Sequence, residues 1–399
     1  MQQHHQILII GGGNAGISAA AQLLRKRKSL QIAIMEPSEK HYYQPAWTLV
    51  GGGTFNIHDT VRSEASVMPS GVKWIKEAAA KFEPESNKVI SANGNEYTYD
   101  YLIVAPGIQL NWHLVKGLPE TLGRNGVTSN YSFDLAPYTF ELLQGMKEGD
   151  TALFTSPGTP VKCGGAPQKI MYLTADYLRK HGLQGKTKVE FVTAGGVIFG
   201  IKKYADQLMK KVNEYGIELH FKHDLVEIDG PGKTATFKVT DSQGVSSYIT
   251  KHFDMIHVVP PQSAPDFIKN SPLANEAGWV DVHKFTLQHN RFPNIFGLGD
   301  ATSTPNAKTG AAVRKQAPVL VKNLLAVIDG QPMQGNYTGY GSCPLVVGYG
   351  QLILAEFDYD NKPMETFPFD QAKPRWSMWA LKKYVLPWMY WNKILKGTA

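Results

Sequence analysis

Cysteine is scarce in this chain: two residues in 399, Cys163 and Cys343, lie 180 positions apart. That excludes a disulfide framework, and neither cysteine stands in a CxxC or a His/Cys spacing that would hold zinc. If they act, they act as a redox pair. Also missing is any apolar run near the ~20 residues needed to cross a bilayer. The opening Met1-Gln-Gln-His-His-Gln leads straight into an apolar strand, so no export or organelle signal is expected. There is no low-complexity tract, no zinc-hydrolase motif and no G-x-S-x-G elbow, which sets aside disordered, metallopeptidase and serine-hydrolase readings.

What is present points to an α/β protein. With 43% hydrophobic residues and 38 glycines, 399 residues suffice for two or three domains with buried cores. The formal charge of +7 would suit nucleic acid, anionic lipid or an anionic substrate, so its location must decide. The cluster Arg25-Lys-Arg-Lys28 ends the first expected helix, where cations complement the dipole, and it reads as a solvated terminus with no nucleic-acid role.

Gln6-Ile-Leu-Ile-Ile-Gly-Gly-Gly-Asn-Ala-Gly16 is a strand, a turn and a helix start, with Gly11, Gly13 and Gly16 in GxGxxG spacing and Asn14 and Ala15 between them. Gln31 to Glu36 is the next strand. Glu36 stands where a carboxylate accepts from an adenosine ribose, while the glycines let a pyrophosphate approach the helix N-terminus. An acid at this position argues for an unphosphorylated ribose. Tyr99 to Gly107 is a buried strand ending in a tight turn at Pro106-Gly107, and Phe292 to Asp300 is another ending in Gly-Asp.

The second unit carries the chemistry. Thr151–Thr155 is β-prone, a Gly/Pro-rich turn follows, and from Ala166 the residues Ile170, Leu173, Ala175 and Leu178 give a helical period. Cys163 therefore precedes a helix N-terminus, whose dipole favours a thiolate, with Lys162 and Lys169 adding positive charge. Lys188–Thr193 and a helix from about Lys203 to Tyr215 continue the pattern, and Phe237–Thr240 and Asp254–Val259 read as strands closing the unit. The turn Gly158-Thr-Pro-Val-Lys-Cys-Gly-Gly165 lacks a second GxGxxG and no acid ends the next strand, which argues against a nicotinamide site. His220 and His223, spaced i, i+3 on an expected strand, point to opposite faces and read as surface histidines, so no metal is expected.

The tail differs in kind. Residues 373–396 carry Trp376, Trp379, Trp388 and Trp391 and six cations, Lys373, Arg375, Lys382, Lys383, Lys393 and Lys396, with no acid. Read as a helix, Met378, Leu381, Val385 and Trp388 share one face, Lys382 and Lys383 lie off it, and Pro387 breaks the run in two. Tryptophans at headgroup depth and cations toward anionic lipid make this an expected interfacial anchor; the alternative is a terminal helix packed on the core.

The strand-turn segments at Gly107 and Asp300 resemble those of the flavoproteins with two dinucleotide-binding domains. By that resemblance Asp300 binds the ribityl chain, and the helix from Lys308 and Gly310 points its N-terminus at the flavin. Glu36-Pro-Ser with His41-Tyr-Tyr-Gln-Pro-Ala-Trp-Thr-Leu-Val-Gly51, Pro160-Val-Lys-Cys-Gly-Gly-Ala-Pro-Gln-Lys-Ile-Met-Tyr-Leu173, Phe199-Gly-Ile-Lys-Lys-Tyr-Ala-Asp206 and the aromatic tail carry a narrower resemblance. Here the chain resembles the sulfide:quinone oxidoreductases, most closely the two-cysteine branch that includes the mitochondrial enzymes. It lacks the third cysteine of many bacterial members, which sets aside long polysulfide storage.

The resemblance implies two Rossmann-like dinucleotide-binding domains plus a C-terminal amphipathic membrane-anchoring region. Residues 1–115 and 276–345 would form the FAD-binding domain, 116–275 the second domain, and 346–399 the quinone and membrane interface. It implies non-covalent FAD, with Gln44 and the backbone near Ala79 also in contact. Sulfide would attack a disulfide or sulfur-bridged pair, leaving a persulfide on Cys343 and a thiolate on Cys163 that delivers two electrons to the flavin. Ubiquinone or another membrane quinone would be the electron acceptor, and glutathione, sulfite or sulfide the sulfur acceptor. The expected place is the cytoplasmic face of a bacterial inner membrane, as a peripheral protein, with room for a homo-oligomer. Two rivals are a type II NADH:quinone oxidoreductase and a non-catalytic flavin redox sensor at the membrane.

Overall fold

The computed structural model describes residues 3–399. Strand β1 (Gln3–Ile10) runs into helix α1 (Asn14–Lys26) and strand β2 (Ile32–Met35), a βαβ start in which β1 and β2 pair in parallel. The paired segments, residues 7–10 and Ile32–Met35, are apolar because both faces of the sheet are covered there. On its other side β1 pairs in parallel with β3 (Glu96–Val104), whose end pairs with β4 (Ile295–Gly297). The sheet is completed by Val72–Ile75 beside β2 and by the antiparallel strands Lys88–Ser91 and Ala79–Glu83 beyond β3. The chain thus returns to its first sheet some 190 residues later, and this return brings Gly299-Asp300 beside the glycine turn.

A second parallel sheet has the order Val127–Thr128, Met255–His257, β5 (Thr151–Ser156), β6 (Lys188–Thr193), Glu218–Phe221. Helix α2 (Ala166–Lys180) connects β5 to β6. Of the strands expected to close this unit, only Met255–His257 joins the parallel sheet. Phe237–Thr240 lies in Thr234–Thr240, the centre of a separate antiparallel sheet with His223–Asp229 and Ser246–His252. The opposite-face geometry expected of His220 and His223 also fails. Lys222, at φ 62°, breaks the strand between them, and their rings meet 5.7 Å apart.

After helix α3 (Gly310–Ile328) comes the antiparallel hairpin β7 (Gly341–Gly348) and β8 (Gln351–Phe357). Buried Leu345, Val346 and Val347 of β7 pack in one core with Ile170, Leu173 and Leu178 of α2, so the hairpin carrying Cys343 is clamped against the helix that follows Cys163.

The tail resolves the two readings of it by splitting its tryptophans. Trp379 and Met378 enter the core that holds β8, while Trp391, Tyr390, Ile394 and Leu395 enter the core around α1. His41 pairs its Nδ1 with Glu64 Oε2 (3.1 Å) and its Nε2 with Tyr390 OH (2.6 Å), pinning the tail near the first sheet. Trp376 and Trp388 stay 69% and 56% exposed, with Tyr384 and Val385 also outward. The expected single face therefore divides: Met378 points inward and Val385 and Trp388 outward. Nor does Pro387 break the run. Trp376–Ala380 and Leu386–Met389 are joined and followed by π turns, whose wider winding accommodates a residue with no N–H to donate. Among the described residues no helix is long and apolar enough to cross a membrane.

Candidate functional site

The glycine turn shows why its residues are glycines. Gly11 has φ +102°, and a Cβ there would strike the Ala105 carbonyl; a Cβ at Gly16 would strike the Gly11 carbonyl. At Gly13, by contrast, no atom lies within 4 Å of where a Cβ would be. Internal packing therefore explains two glycines, while the third borders open space at the N-terminus of α1. Glu36 sits at the rim, its Oε2 accepting from Gly12 N–H and its Oε1 from Ser38 N–H, both at 2.8 Å. A Cβ on Gly310 would lie 3.4 Å from Asn14 Nδ2, and one on Gly299 would lie 3.2 Å from Ala15 Cβ. The fold thus gathers turns from both ends of the chain at the mouth of one sheet. An open approach, free helix N–H groups and a carboxylate at the strand end fit a dinucleotide.

Gly107 takes φ 78° after Pro106, in the turn leaving β3. Ala79 opens its strand with a buried side chain. Asp300 lies in the fields of Lys308 and Lys162; burial raises its carboxyl while both lysines pull it down. Burial brings each of those lysines down to about 8, against the pull of Asp300.

The two cysteines meet. Cys163 Sγ is 3.4 Å from Cys343 Sγ, with no disulfide bond between them. Cys163 has φ 55°, a left-handed conformation unusual for a residue with a Cβ. It is held there by its N–H donating to Lys308 O (2.8 Å) and its carbonyl accepting from Ala166 N–H (2.7 Å). Buried Lys169, one turn into α2, donates to Cys163 Sγ at 3.0 Å. The contact with Cys343 and the charge of Lys169 hold Cys163 well below the usual thiol range, although burial opposes them. Cys343, 2% exposed, is pushed up by that same contact and by burial. The pair is therefore a thiolate next to a thiol. Burial draws the Lys169 ammonium down, but the two sulfurs outweigh it and keep the lysine charged.

Two lysine assignments change. Lys162 was expected to support the thiolate, yet its Nζ donates to Gln44 Oε1 at 2.6 Å. Lys382, expected among the outward cations, is 4% exposed and donates to Pro45 O at 2.7 Å. Burial and then Lys169 bring it down to about 7, while the two cysteine sulfurs pull it up. No local pattern marks Lys382, because its burial comes from the way the tail folds back over Pro45.

Gly165 was also unmarked. A Cβ there would fall 2.5 Å from Cys343 Sγ and would strike Leu345 Cδ2 as well. Gly165→Ala should therefore push the β7 hairpin away from the Cys163 turn and cost about 1–3 kcal/mol, the usual price of overpacking. Thermal melting should show the loss of stability, and thiol alkylation should show Cys343 more open. Wild-type melting and wild-type thiol protection would refute this close packing.

Glu190, Glu218 and His220 approach one another closely enough to suggest a metal. Lys251 Nζ already lies 2.7 Å from Glu190 Oε2 and His220 Nε2 lies 2.9 Å from that oxygen, so the carboxylate has its partners, one of them a cation, from the chain itself.

A model of the pyridine nucleotide-disulphide oxidoreductase family matches residues 5–138. The chain is 48% identical to the mitochondrial sulfide:quinone oxidoreductase of Mus musculus, over 99% of this chain and 87% of that protein. It is 49% identical to the mitochondrial sulfide:quinone oxidoreductase of Dictyostelium discoideum, over 98% and 86% of the two chains. Its fold is similar to that of the solved sulfide:quinone oxidoreductase of Aquifex aeolicus, with a TM-score of 0.81 at 21% identity over 98% of this chain and 92% of that one.

Proposed function

This chain belongs to the sulfide:quinone oxidoreductase family, and from that premise we propose how its own residues carry out the reaction. It is a flavoprotein oxidoreductase that oxidises sulfide and reduces quinone. The flavin is FAD, held non-covalently by the turn at Gly11, Gly13, Asn14, Ala15 and Gly16, by Glu36, Gln44, Ala79, Pro106 and Gly107, by Asp300, and by the backbone at Lys308 and Gly310. When bound, it supplies a two-electron acceptor that quinone reoxidises.

The observation that carries the reading is the sulfur pair with Lys169 on one member only. In the oxidised resting form the two sulfurs are linked, directly or through one further sulfur. Two S–S bonds of about 2.05 Å span roughly 3.3 Å at an ordinary sulfur angle, close to the separation of the free sulfurs. With a direct bond, hydrosulfide attacks Cys343 Sγ, a new S–S bond forms there, and the old one breaks. Cys343 then carries a persulfide and Cys163 leaves as a thiolate, the better leaving group because Lys169 neutralises it. A sulfur acceptor, whether glutathione, sulfite or sulfide, takes the outer sulfur and leaves a second thiolate on Cys343. Re-forming the bond releases the two electrons. Lys382 adds a second cation next to the pair while both sulfurs carry charge.

Exposed Trp376, Tyr384, Val385 and Trp388, with Lys383 and Lys393 between and beside them, form the membrane-facing surface through which quinone reaches the site. The relatives' names place them in mitochondria and give no support to the cytoplasmic face of a bacterial inner membrane. The NADH reading is not favoured. The cavity of about 370 Å³ where the second unit would take a nicotinamide nucleotide is lined by Pro157, Val197, Phe199 and Phe357, and β6 ends at Thr193, followed by Ala194, with no acid.

Stopped-flow absorbance tests the reading. Sulfide should bleach the flavin rapidly, NADH should leave it oxidised, and added quinone should restore it through many turnovers. Bleaching by NADH as fast as by sulfide would replace the assignment with the NADH enzyme. Bleaching by sulfide without quinone turnover would make the protein a sensor.

A further inference from the structure

The motif Val161-Lys-Cys163 places a lysine next to the thiolate in sequence, but the fold separates their side chains. Both backbone faces of Lys162 are pinned: its N–H donates to Gln262 Oε1 at 2.9 Å and its carbonyl accepts from Tyr131 OH at 3.3 Å. The next N–H, of Cys163, is committed to Lys308 O. With the backbone held this way, Cys163 turns toward Lys169 and Cys343, and Lys162 turns toward Gln44.

Lys308, the lysine assigned to the cofactor, spends its ammonium elsewhere. Its Nζ donates to Thr302 O at 2.9 Å and sits 4.1 Å from the centre of the Trp279 ring. Lys162 is the cation that faces Gln44, in the field of Asp300, and it has N–H groups to spare beyond its one hydrogen bond.

We propose that Lys162 serves the cofactor and not the thiolate: its ammonium, oriented by Gln44, is the fixed cation that favours the flavin once it has gained negative charge on reduction. The inference rests on the reading that FAD lies among Gln44, Asp300 and the glycine turn. A cation preorganised at a site of developing charge stabilises the charged form with little rearrangement. Lys169 is left as the partner of Cys163. One chain segment thus divides its two cations between the two redox centres, which lets each be tuned alone.

The test compares Lys162→Met, Lys162→Arg and Lys169→Met in the flavin-loaded protein. The flavin midpoint potential is read by dithionite titration against a reference dye, which needs no sulfide, and the thiolate is followed, after a thiol reductant has opened the cysteine pair and been removed, by its ultraviolet absorbance against pH. In Lys162→Met, reduced flavin should bind about tenfold more weakly relative to oxidised flavin, a shift of about 30 mV to more negative potential for a two-electron couple. Its thiolate titration should match wild type, whereas Lys169→Met should raise that titration. Lys162→Arg should keep the wild-type potential. An unchanged potential in Lys162→Met, or a thiolate titration moved as far as in Lys169→Met, overturns the assignment. If Lys162→Met loses flavin, Lys162→Arg decides: retention with a near-normal potential supports the assignment, and loss from both variants shows a structural role and overturns it. Failure of sulfide to bleach wild-type flavin would sink the enzymatic reading while leaving these potentials measurable.

Discussion

Replacing Cys163 with Ser should leave the flavin bound and slow its reduction by sulfide at least about a thousandfold, the scale of loss when an enzyme's covalent group is removed. The two functions separate because different parts of the structure carry them. The glycine turn and Glu36 hold their geometry through backbone contacts with Ala105 and Ser38, none of which involves the sulfur. A serine hydroxyl can occupy the same left-handed turn and accept from Lys169, so the local fold survives. It cannot form the sulfur link whose cleavage delivers electrons. Cys343→Ser should likewise leave the flavin bound, and the pair of variants keeps the comparison honest for folding. Stopped-flow bleaching together with flavin content after gel filtration reads the result. Bleaching near the wild-type rate in Cys163→Ser would mean that sulfide reduces the flavin by another route.

The second large effect concerns the tail. Cutting the chain after Asp370 should destroy the fold and not merely release a soluble enzyme. The cut removes Met378 and Trp379 from one core and Tyr390, Trp391, Ile394 and Leu395 from another. At about 1.5–3 kcal/mol for each large buried side chain, the loss is on the order of 10 kcal/mol. Whole domains are stable by about 5–15 kcal/mol. The truncated chain should aggregate or lose its flavin.

The membrane surface must therefore be tested by substitution. Trp376→Ser, Tyr384→Ser, Val385→Ser and Trp388→Ser together change only outward side chains, so melting and flavin content should stay near wild type. Sedimentation with anionic vesicles should weaken at least tenfold, about 1.4 kcal/mol, and turnover with long-tailed quinone should fall while bleaching by sulfide persists. A truncated protein that stays folded would refute the double anchoring of the tail. A quadruple variant that binds vesicles like wild type would refute the membrane face.

The sequence by itself determined whatever depends on neighbours a few positions apart. The βαβ start, the acid at Glu36 and the helix after Cys163 are each written in spacing, because strand and helix periods and the backbone demands of glycine are local. Family resemblance added the pairing of Cys163 with Cys343, which no local pattern contains. Only the tertiary structure decided how each element's surface is covered. It brought the two sulfurs to 3.4 Å by clamping the β7 hairpin on α2, and it required Gly165 to be glycine for that approach. The same packing turned Lys162 toward Gln44, buried Lys382 over Pro45, and put two tryptophans inward and two outward. A helical period shows which side chains share a face but not what lies against it. Burying an ammonium or an indole is decided by partners that the chain supplies from far away in sequence.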